Sequence, residues 1–463
     1  MIFSIDHADR SARAALVDGP TGNRWTYGRL AEEVAKRKRM LPAERKRLVF
    51  HFCRNHSENV VWYLALLEAG HAQALLNAAL DAGLRDRLMD AFRPDYVILP
   101  ERPSAAYETG GVDGLWRLRS FADDQIHPNL ALLLSTSGST GSPKLARLTR
   151  GNLESNAASI GEGLGITPEQ RPLAHLPLYY SYGLSVFNSH FAAGATVVMT
   201  GESLVTQDFW DTARREKATS FSGVPYTYQM LRRLDLNRLN VPSLQDLTQA
   251  GGKLDTPAID HFHRLMDARG GRFWVMYGQT EATARIAILP ARDLPRKLGS
   301  VGRPIAGGKF EVVRPGHSAP AGDGELVYSG PNVMMGYAFS RECLAKGDEM
   351  QGRLFTGDQV RVDEEGYLYV VGRGKRDAKV FGLRINLDDV ETLVKTHGPA
   401  AVVGGNDRLV FFCEFGDEAE FARLQGDLSA KLRLHHSAFE FHRVDKLPTN
   451  ASGKIDYQEL GRR

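Results

Sequence analysis

Apolar residues along this chain fall into two kinds of pattern. Short continuous runs read as buried strands bounded by turn residues: Leu48-Val49-Phe50-His51-Phe52, Tyr96-Val97-Ile98-Leu99, Leu130-Ala131-Leu132-Leu133-Leu134, Ala195-Thr196-Val197-Val198-Met199 and Phe273-Trp274-Val275-Met276. Residues 28–42 and 58–70 read instead as amphipathic helices, and further helical stretches at 208–217 and 256–268 separate the later strands. Strands alternating with helices predict an α/β fold of mostly parallel sheets with helices on both faces. From about residue 309 the pattern changes to short strands with Gly and Pro turns (309–314 and 325–329), which predicts a smaller β subdomain. After a strand at 367–371 a separate α/β pattern begins: a helix at 387–396, a strand at 409–415 and a helix at 418–432. Between them, Gly374-Lys375-Arg376 is poor core material and good linker material, so the domain boundary is expected there.

Composition narrows the class without naming a function. A chain of 463 residues is expected to divide into two to four domains. A hydrophobic content of 43% and a charged content of 24% are those of a soluble globular protein. A net charge of +3, evenly spread, gives no footprint for nucleic acid or an anionic membrane. Cys53, Cys343 and Cys413 are far apart and odd in number, which suits neither a disulfide framework nor a metal cluster and points to a reducing cytoplasm. The start Met1-Ile2-Phe3-Ser4-Ile5-Asp6 lacks the basic and long apolar regions of a signal peptide, and no apolar stretch reaches bilayer length.

The first chemistry appears at Thr136-Ser137-Gly138-Ser139-Thr140-Gly141-Ser142-Pro143-Lys144, directly after a strand-like run. Glycines let backbone N–H groups converge on a concavity, while hydroxyls and a lysine add donors and charge, so the segment suits phosphates. It is not a Walker A loop, because Pro143 precedes Lys144 and Leu145 follows it, and the proline disfavours a helix starting beneath the phosphates. Taken alone it is also an ordinary Ser/Gly surface loop. Four further motifs follow in order: Tyr277-Gly278-Gln279-Thr280-Glu281; Gly324-Glu325-Leu326 leading to Gly336-Tyr337; Thr356-Gly357-Asp358 with Gly372-Arg373; and Pro448-Thr449-Asn450-Ala451-Ser452-Gly453-Lys454. Together the five resemble the adenylate-forming superfamily of AMP-dependent acyl-CoA synthetases, aryl-acid ligases, adenylation domains and luciferase. The Trp25-Thr26-Tyr27 neighbourhood resembles that family's opening hairpin, so the resemblance spans essentially the whole chain.

The resemblance implies two parallel-rich αβα sheets and a β subdomain over 1–373, a hinge at 374–376 pivoting on Lys375, and a small mobile α+β domain over 377–463. It implies an AMP-forming acid–thiol ligase that uses ATP and Mg²⁺, with CoA or a carrier protein's phosphopantetheine as acceptor. Positioning and positive charge supply most of such catalysis at phosphorus. Lys454 then bridges the carboxylate and the α-phosphate, a task suited to a flexible point charge on a moving domain. Glu281 holds the metal ion, since Mg²⁺ takes carboxylate oxygen. Thr280 hydrogen-bonds the α-phosphate, and Tyr277 stacks on the adenine with Gly278 and Gln279 beside it. Asp358 accepts from both ribose hydroxyls, with Arg373 as a further donor. Gly251 and Gly252 let the backbone approach the adenine and substrate, and Gly382 lines the thiol tunnel. In isolation Ser-Gly-Lys and Thr-Gly-Asp are common turn chemistry.

The acid itself is less legible. Pro177-Leu178-Tyr179-Tyr180-Ser181-Tyr182-Gly183-Leu184 aligns with a pocket motif, with Tyr180 where acyl-CoA synthetases often carry a histidine. Amino-acid-activating relatives hold the substrate ammonium with a nearby aspartate, whereas here the position is Ser181 and no acidic residue lies between 170 and 201. That argues against an α-amino acid and for another small carboxylic acid. Aromatic core packing is the alternative for the tyrosines of this motif. Gly223, with Phe221, Val224 and Pro225, is expected to form the opposite wall. Leu145, Arg150-Gly151 and Lys253 depart from the family pattern. A carrier-loading adenylation enzyme, a luciferase-like oxidoreductase and a non-catalytic nucleotide binder are the alternative readings. Retention of Glu281, Asp358, Arg373 and Lys454 together argues against the last.

Overall fold

A computed structural model describes residues 10–41, 44–121, 125–136, 144–234, 240–314, 317–373, 377–448, 455 and 457–461. The described chain gathers into two compact units, the first from its residues up to Ser135 and from Lys144 to Val371, the second from Thr136 and the residues from Gly372 on. Among the described residues no helix is long and apolar enough to cross a membrane.

Two large sheets build the first unit. The nine-stranded sheet runs in the order Arg303–Pro304, Ala287–Leu289, Arg272–Tyr277, Asp246–Gln249, Ser220–Gly223, Pro172–Ala174, Val197–Met199, Ala14–Asp18 and Arg24–Thr26. From Arg272–Tyr277 through Ala14–Asp18 the pairings are parallel, and Ala287–Leu289 joins antiparallel. The helices Pro225–Leu234 and Thr256–Asp267 supply crossovers, the latter capped by Asp255, whose side chain accepts from the Ala258 N–H. The eight-stranded sheet has Leu48–Cys53, Ala72–Asn77 and Leu130–Ser135 at its centre, again parallel. Strands buried on both faces read as continuous apolar runs, which is why these were visible in the sequence.

The helix Ser57–Glu68 differs from the amphipathic element expected at 58–70. It buries every residue from Val60 to Leu67, with one side in the core shared with Leu16, Leu132 and Phe187 and the other against Val49 and Tyr96. A helix that is apolar all round belongs inside a protein, and this one packs between elements rather than over a surface. The helix Tyr27–Arg39 does keep a single buried stripe of Tyr27, Leu30 and Val34.

A five-stranded sheet, ordered His317–Ala319, Lys309–Arg314, Gly322–Ser329, Arg353–Val362 and Leu368–Arg373, forms the smaller β layer. In the second unit Ala400–Gly405, Arg408–Cys413 and Phe439–Arg443 make a three-stranded sheet, with Leu387–Lys395 and Glu418–Leu432 as helices over a core that includes Val390, Phe411 and Leu428. Asp377–Val380 and Leu383–Asn386 form a separate hairpin, closed by the two-residue turn Phe381-Gly382.

Candidate active site

Gly278, Gln279 and Thr280, expected at the nucleotide, sit on one short loop that follows the strand ending at Tyr277. Tyr277 ends its strand opposite Ala287, and the Ile286 N–H donates to the Tyr277 carbonyl at 2.9 Å, so residues 278–286 form a loop tied at its base. A Cβ on Gly278 would stand 1.7 Å from the Ala284 carbonyl oxygen, so the turn admits only glycine there. Thr280–Ala282 complete one 3₁₀ turn. From the next layer, the Asn332 side-chain amide donates to the carbonyls of Ala282 and Arg285, both at 2.8 Å, and the Met334 N–H donates to the Glu281 carbonyl at 2.9 Å. The loop backbone is thereby fixed from outside, and Asn332, which the sequence did not single out, is what fixes it.

Tyr277, Gln279 and Asp358 converge. Asp358 Oδ2 accepts from Gln279 Nε2 at 2.7 Å and from the Tyr277 hydroxyl. Gln279 Nε2 also lies 3.1 Å from the Thr356 carbonyl. The Thr356-Gly357-Asp358 motif is a β-bulge. Glu325 pairs with Gln359 and Val327 with Phe355, so the Arg353–Val362 strand carries extra residues here, with Gly357 at φ +71. The bulge places the fully buried Asp358 carboxylate at the end of the loop-bearing strand.

Glu281 and Lys144 meet through an intermediary. The Tyr337 hydroxyl donates to Glu281 Oε1 at 2.8 Å, and Lys144 Nζ lies 3.7 Å from the centre of the Tyr337 ring. Register sets this arrangement: Tyr337 pairs with Ala146 and Ala338 with Leu145, in the strand that follows Lys144 directly. A strand, not a helix, thus follows the phosphate-loop lysine, as Pro143 led us to expect. Burial, and then the neighbouring Glu281 charge, raise the Tyr337 phenol far above its ordinary range, which keeps it a donor. Among the described residues Glu281 Oε2 takes no hydrogen bond and no group of three or more metal-ligating side chains occurs. A lone carboxylate oxygen suits Mg²⁺, which is usually held by one or two carboxylates together with substrate phosphates.

The residues expected to form the acid pocket join at Thr280, whose hydroxyl lies 3.1 Å from that of Ser181. Ser181 opens the helix Ser181–Ala192, an element absent from our sequence reading because it is buried all round and shows no 3.6-residue contrast. Tyr180 precedes it, and its hydroxyl lies 2.6 Å from where a Cβ on Gly251 would stand. The Gly223 carbonyl accepts from the Ala250 N–H at 3.2 Å and the Gly252 carbonyl from Gln249 Nε2 at 2.6 Å, so these three glycines share one rim. Positions 182, 185, 186, 189 and 190 of the helix line a small cavity together with Trp274 and Met276 of the loop-bearing strand. Tyr182 is both cavity wall and core: only 4% exposed, with its hydroxyl 2.9 Å from Thr248 Oγ1. The cavity also meets Asp246 and Arg285, neither of which sequence reasoning had singled out.

Ser137, Gly138, Ser139, Thr140, Gly141, Lys375 and Lys454 lie outside the described residues, as does the Arg373 side chain; Thr136 is described just after the strand Leu130–Ser135. Gly382 falls in the hairpin turn of the second unit. The chain on either side of the Lys454 segment is anchored within that unit. The Leu447 N–H donates to Glu414 Oε1 at 2.7 Å, and the Tyr457 hydroxyl donates to Glu391 Oε1 at 2.8 Å.

A family model described as AMP-binding enzyme matches residues 5–338. The 2-succinylbenzoate–CoA ligase of Bacillus pumilus (strain SAFR-032) is 29% identical over 466 residues, covering 94% of this chain and 93% of that protein. The solved o-succinylbenzoate CoA synthetase from Bacillus subtilis, a double mutant bound with its product analogue OSB-NCoA, aligns with a TM-score of 0.77 and 25% identity over 97% of this chain and 96% of its own. The same enzyme in complex with the acyl-adenylate intermediate OSB-AMP gives 0.64, and in complex with ATP and magnesium ion 0.65, each at 25% identity, over 97% of this chain and 95% and 96% of theirs. With a family model matched over most of its length, the chain belongs to the AMP-binding enzymes of the adenylate-forming superfamily.

Proposed function

We propose that this protein is an AMP-forming acid–CoA ligase. A carboxylate oxygen of a small acid attacks the α-phosphorus of ATP and pyrophosphate leaves. The CoA thiolate then attacks the acyl carbon, the bond from that carbon to the phosphate oxygen breaks, and AMP leaves with the oxygen and its electron pair. The observation that carries this reading is the convergence of Tyr277, Gln279 and Asp358 next to a loop that also presents Thr280 and Glu281. Asp358, held by Gln279 and Tyr277, is a rigid acceptor suited to sugar hydroxyls. Thr280, beside Ser181, stands where the acid side meets the loop, so it is assigned to the α-phosphate. Lys144 adds charge toward the phosphates. Mg²⁺, bound by Glu281, would neutralise phosphate charge. Relatives that act on CoA substrates favour CoA over a carrier protein as acceptor.

Lys454 is assigned the bridging charge between carboxylate and α-phosphate, and Lys375 the pivot between 1–373 and 377–463. The test is pyrophosphate exchange across fatty, aryl and amino acids, with thioester formation measured with and without CoA. Lys454→Ala should lower exchange about 10²–10³-fold, the usual cost of removing one charged stabiliser of the reacting group, while thioester formation from supplied acyl-AMP persists. Exchange above about half the normal rate would overturn the assignment of Lys454. Absence of exchange with every acid would overturn the ligase reading itself.

A further inference from the structure

The cavity beside the helix Ser181–Ala192 contains a cation that the protein does not neutralise. Arg285 is 2% exposed, and its guanidinium makes no hydrogen bond or ion pair among the described residues. Its Nε is buried without a partner. Its side-chain contact is the face of Tyr182, 4.8 Å from the ring centre, a favourable but weak substitute for a counter-ion. Burial lowers its pKa, yet a guanidinium stays charged in proteins. An unpaired buried charge is costly, and proteins retain one where a ligand completes the pair.

The other ionisable groups of the cavity are already committed. Asp246 accepts from Arg272 through both oxygens, at 2.7 and 2.8 Å, and from Trp274 Nε1 at 2.8 Å. His190, held by the Val186 carbonyl at 2.8 Å, is pushed down to about 4 by burial, so it is neutral near pH 7. Arg285 is therefore the net positive feature of a small apolar-walled space. It lies on the same loop as Glu281 and faces Tyr182, next to the residue that reaches Thr280. The planar fork of a guanidinium matches a carboxylate through two parallel hydrogen bonds.

We infer that Arg285 pairs with a second carboxylate of the substrate, so the acid this chain activates is a dicarboxylic acid. The inference rests on the ligase reading for which carboxylate reacts, and names what the rest of the acid must carry.

The experiment compares each diacid with its own half-ester: adipate with monomethyl adipate, and isophthalate with monomethyl isophthalate. Affinity is measured by calorimetry, and ATP-dependent CoA thioester formation is measured in parallel. The free diacid should be favoured at least about tenfold in one pair. Arg285→Lys should keep part of that preference, and Arg285→Met should abolish or reverse it. Because the arginine lacks a partner, Arg285→Met should also leave the melting temperature unchanged or raised. Equal affinity for both members of each pair, no binding included, overturns the inference. So does a variant that loses both members equally with a lowered melting temperature, which would make Arg285 a structural residue. If calorimetry shows the preference but no acid yields thioester, the ligase reading falls and the anion site stands.

Discussion

At the scale of single residues, Glu281 is held by one bond and faces its task with the other oxygen. Glu281→Gln removes the charge, so the Michaelis constant for Mg²⁺ should rise more than that for the acid, and raised Mg²⁺ should restore part of the rate. Equal rises in both constants would place Glu281 in folding instead. Tyr337→Phe keeps the ring beneath Lys144 and removes only the hydroxyl on Glu281. It should cost about tenfold in kcat/KM, or ~1.4 kcal/mol, as for one hydrogen bond to a partly exposed charged group. An unchanged Mg²⁺ dependence in this variant would show that the tyrosine does not orient the carboxylate. Glu281 itself was legible because its motif is contiguous. Tyr337 was visible only as part of a pattern, and Asn332 not at all, since its function is to satisfy backbone carbonyls that a sequence does not display.

Among elements, legibility followed burial symmetry. Strands covered on both faces stood out as apolar runs, and the β layer from Lys309 announced itself through its turns. The helices Ser57–Glu68 and Ser181–Ala192 were misread or missed because burial on every side erases the periodicity that marks a helix. The loop 278–286 makes the most exacting demand. Gly278→Ala places a methyl on the Ala284 carbonyl and should cost about 3 kcal/mol or more, with loss of ATP-dependent activity. Gly161→Ala, inside the helix Arg150–Leu164 with nothing within 4 Å of the new methyl, should instead stabilise by about 0.5–1 kcal/mol. Urea unfolding of both variants checks the contrast, and a mild Gly278→Ala would mean the loop relaxes.

For the whole molecule, acid should be a weakness. His51, His175 and His190 are each pushed down to about 4 by burial. The folded chain keeps them neutral, while the unfolded chain protonates them near the ordinary value of 6.5. Their contribution is intact above pH 6.5 and is lost as the pH falls toward 4, each at about 1.4 kcal/mol per pH unit. The urea midpoint should therefore drop steeply between pH 7 and pH 5. His175→Phe, which retains a ring against Phe221 (centroids now 4.5 Å apart), should flatten that drop. A pH profile identical to the parent's would remove His175 from the account.

The brevity of the loop 278–286 has a consequence for descent. Glu281 and Arg285 are four positions apart on a backbone tied at its base and clamped by Asn332. An insertion or deletion that reshaped the cavity beside Arg285 through this loop would displace the Glu281 carboxylate in the same event. A lineage can change its diet here only by exchanging side chains, one at a time, at positions such as 285, 274 or 276. Cousins with different appetites should consequently keep this segment at constant length, and the record of their divergence should be written in substitutions alone.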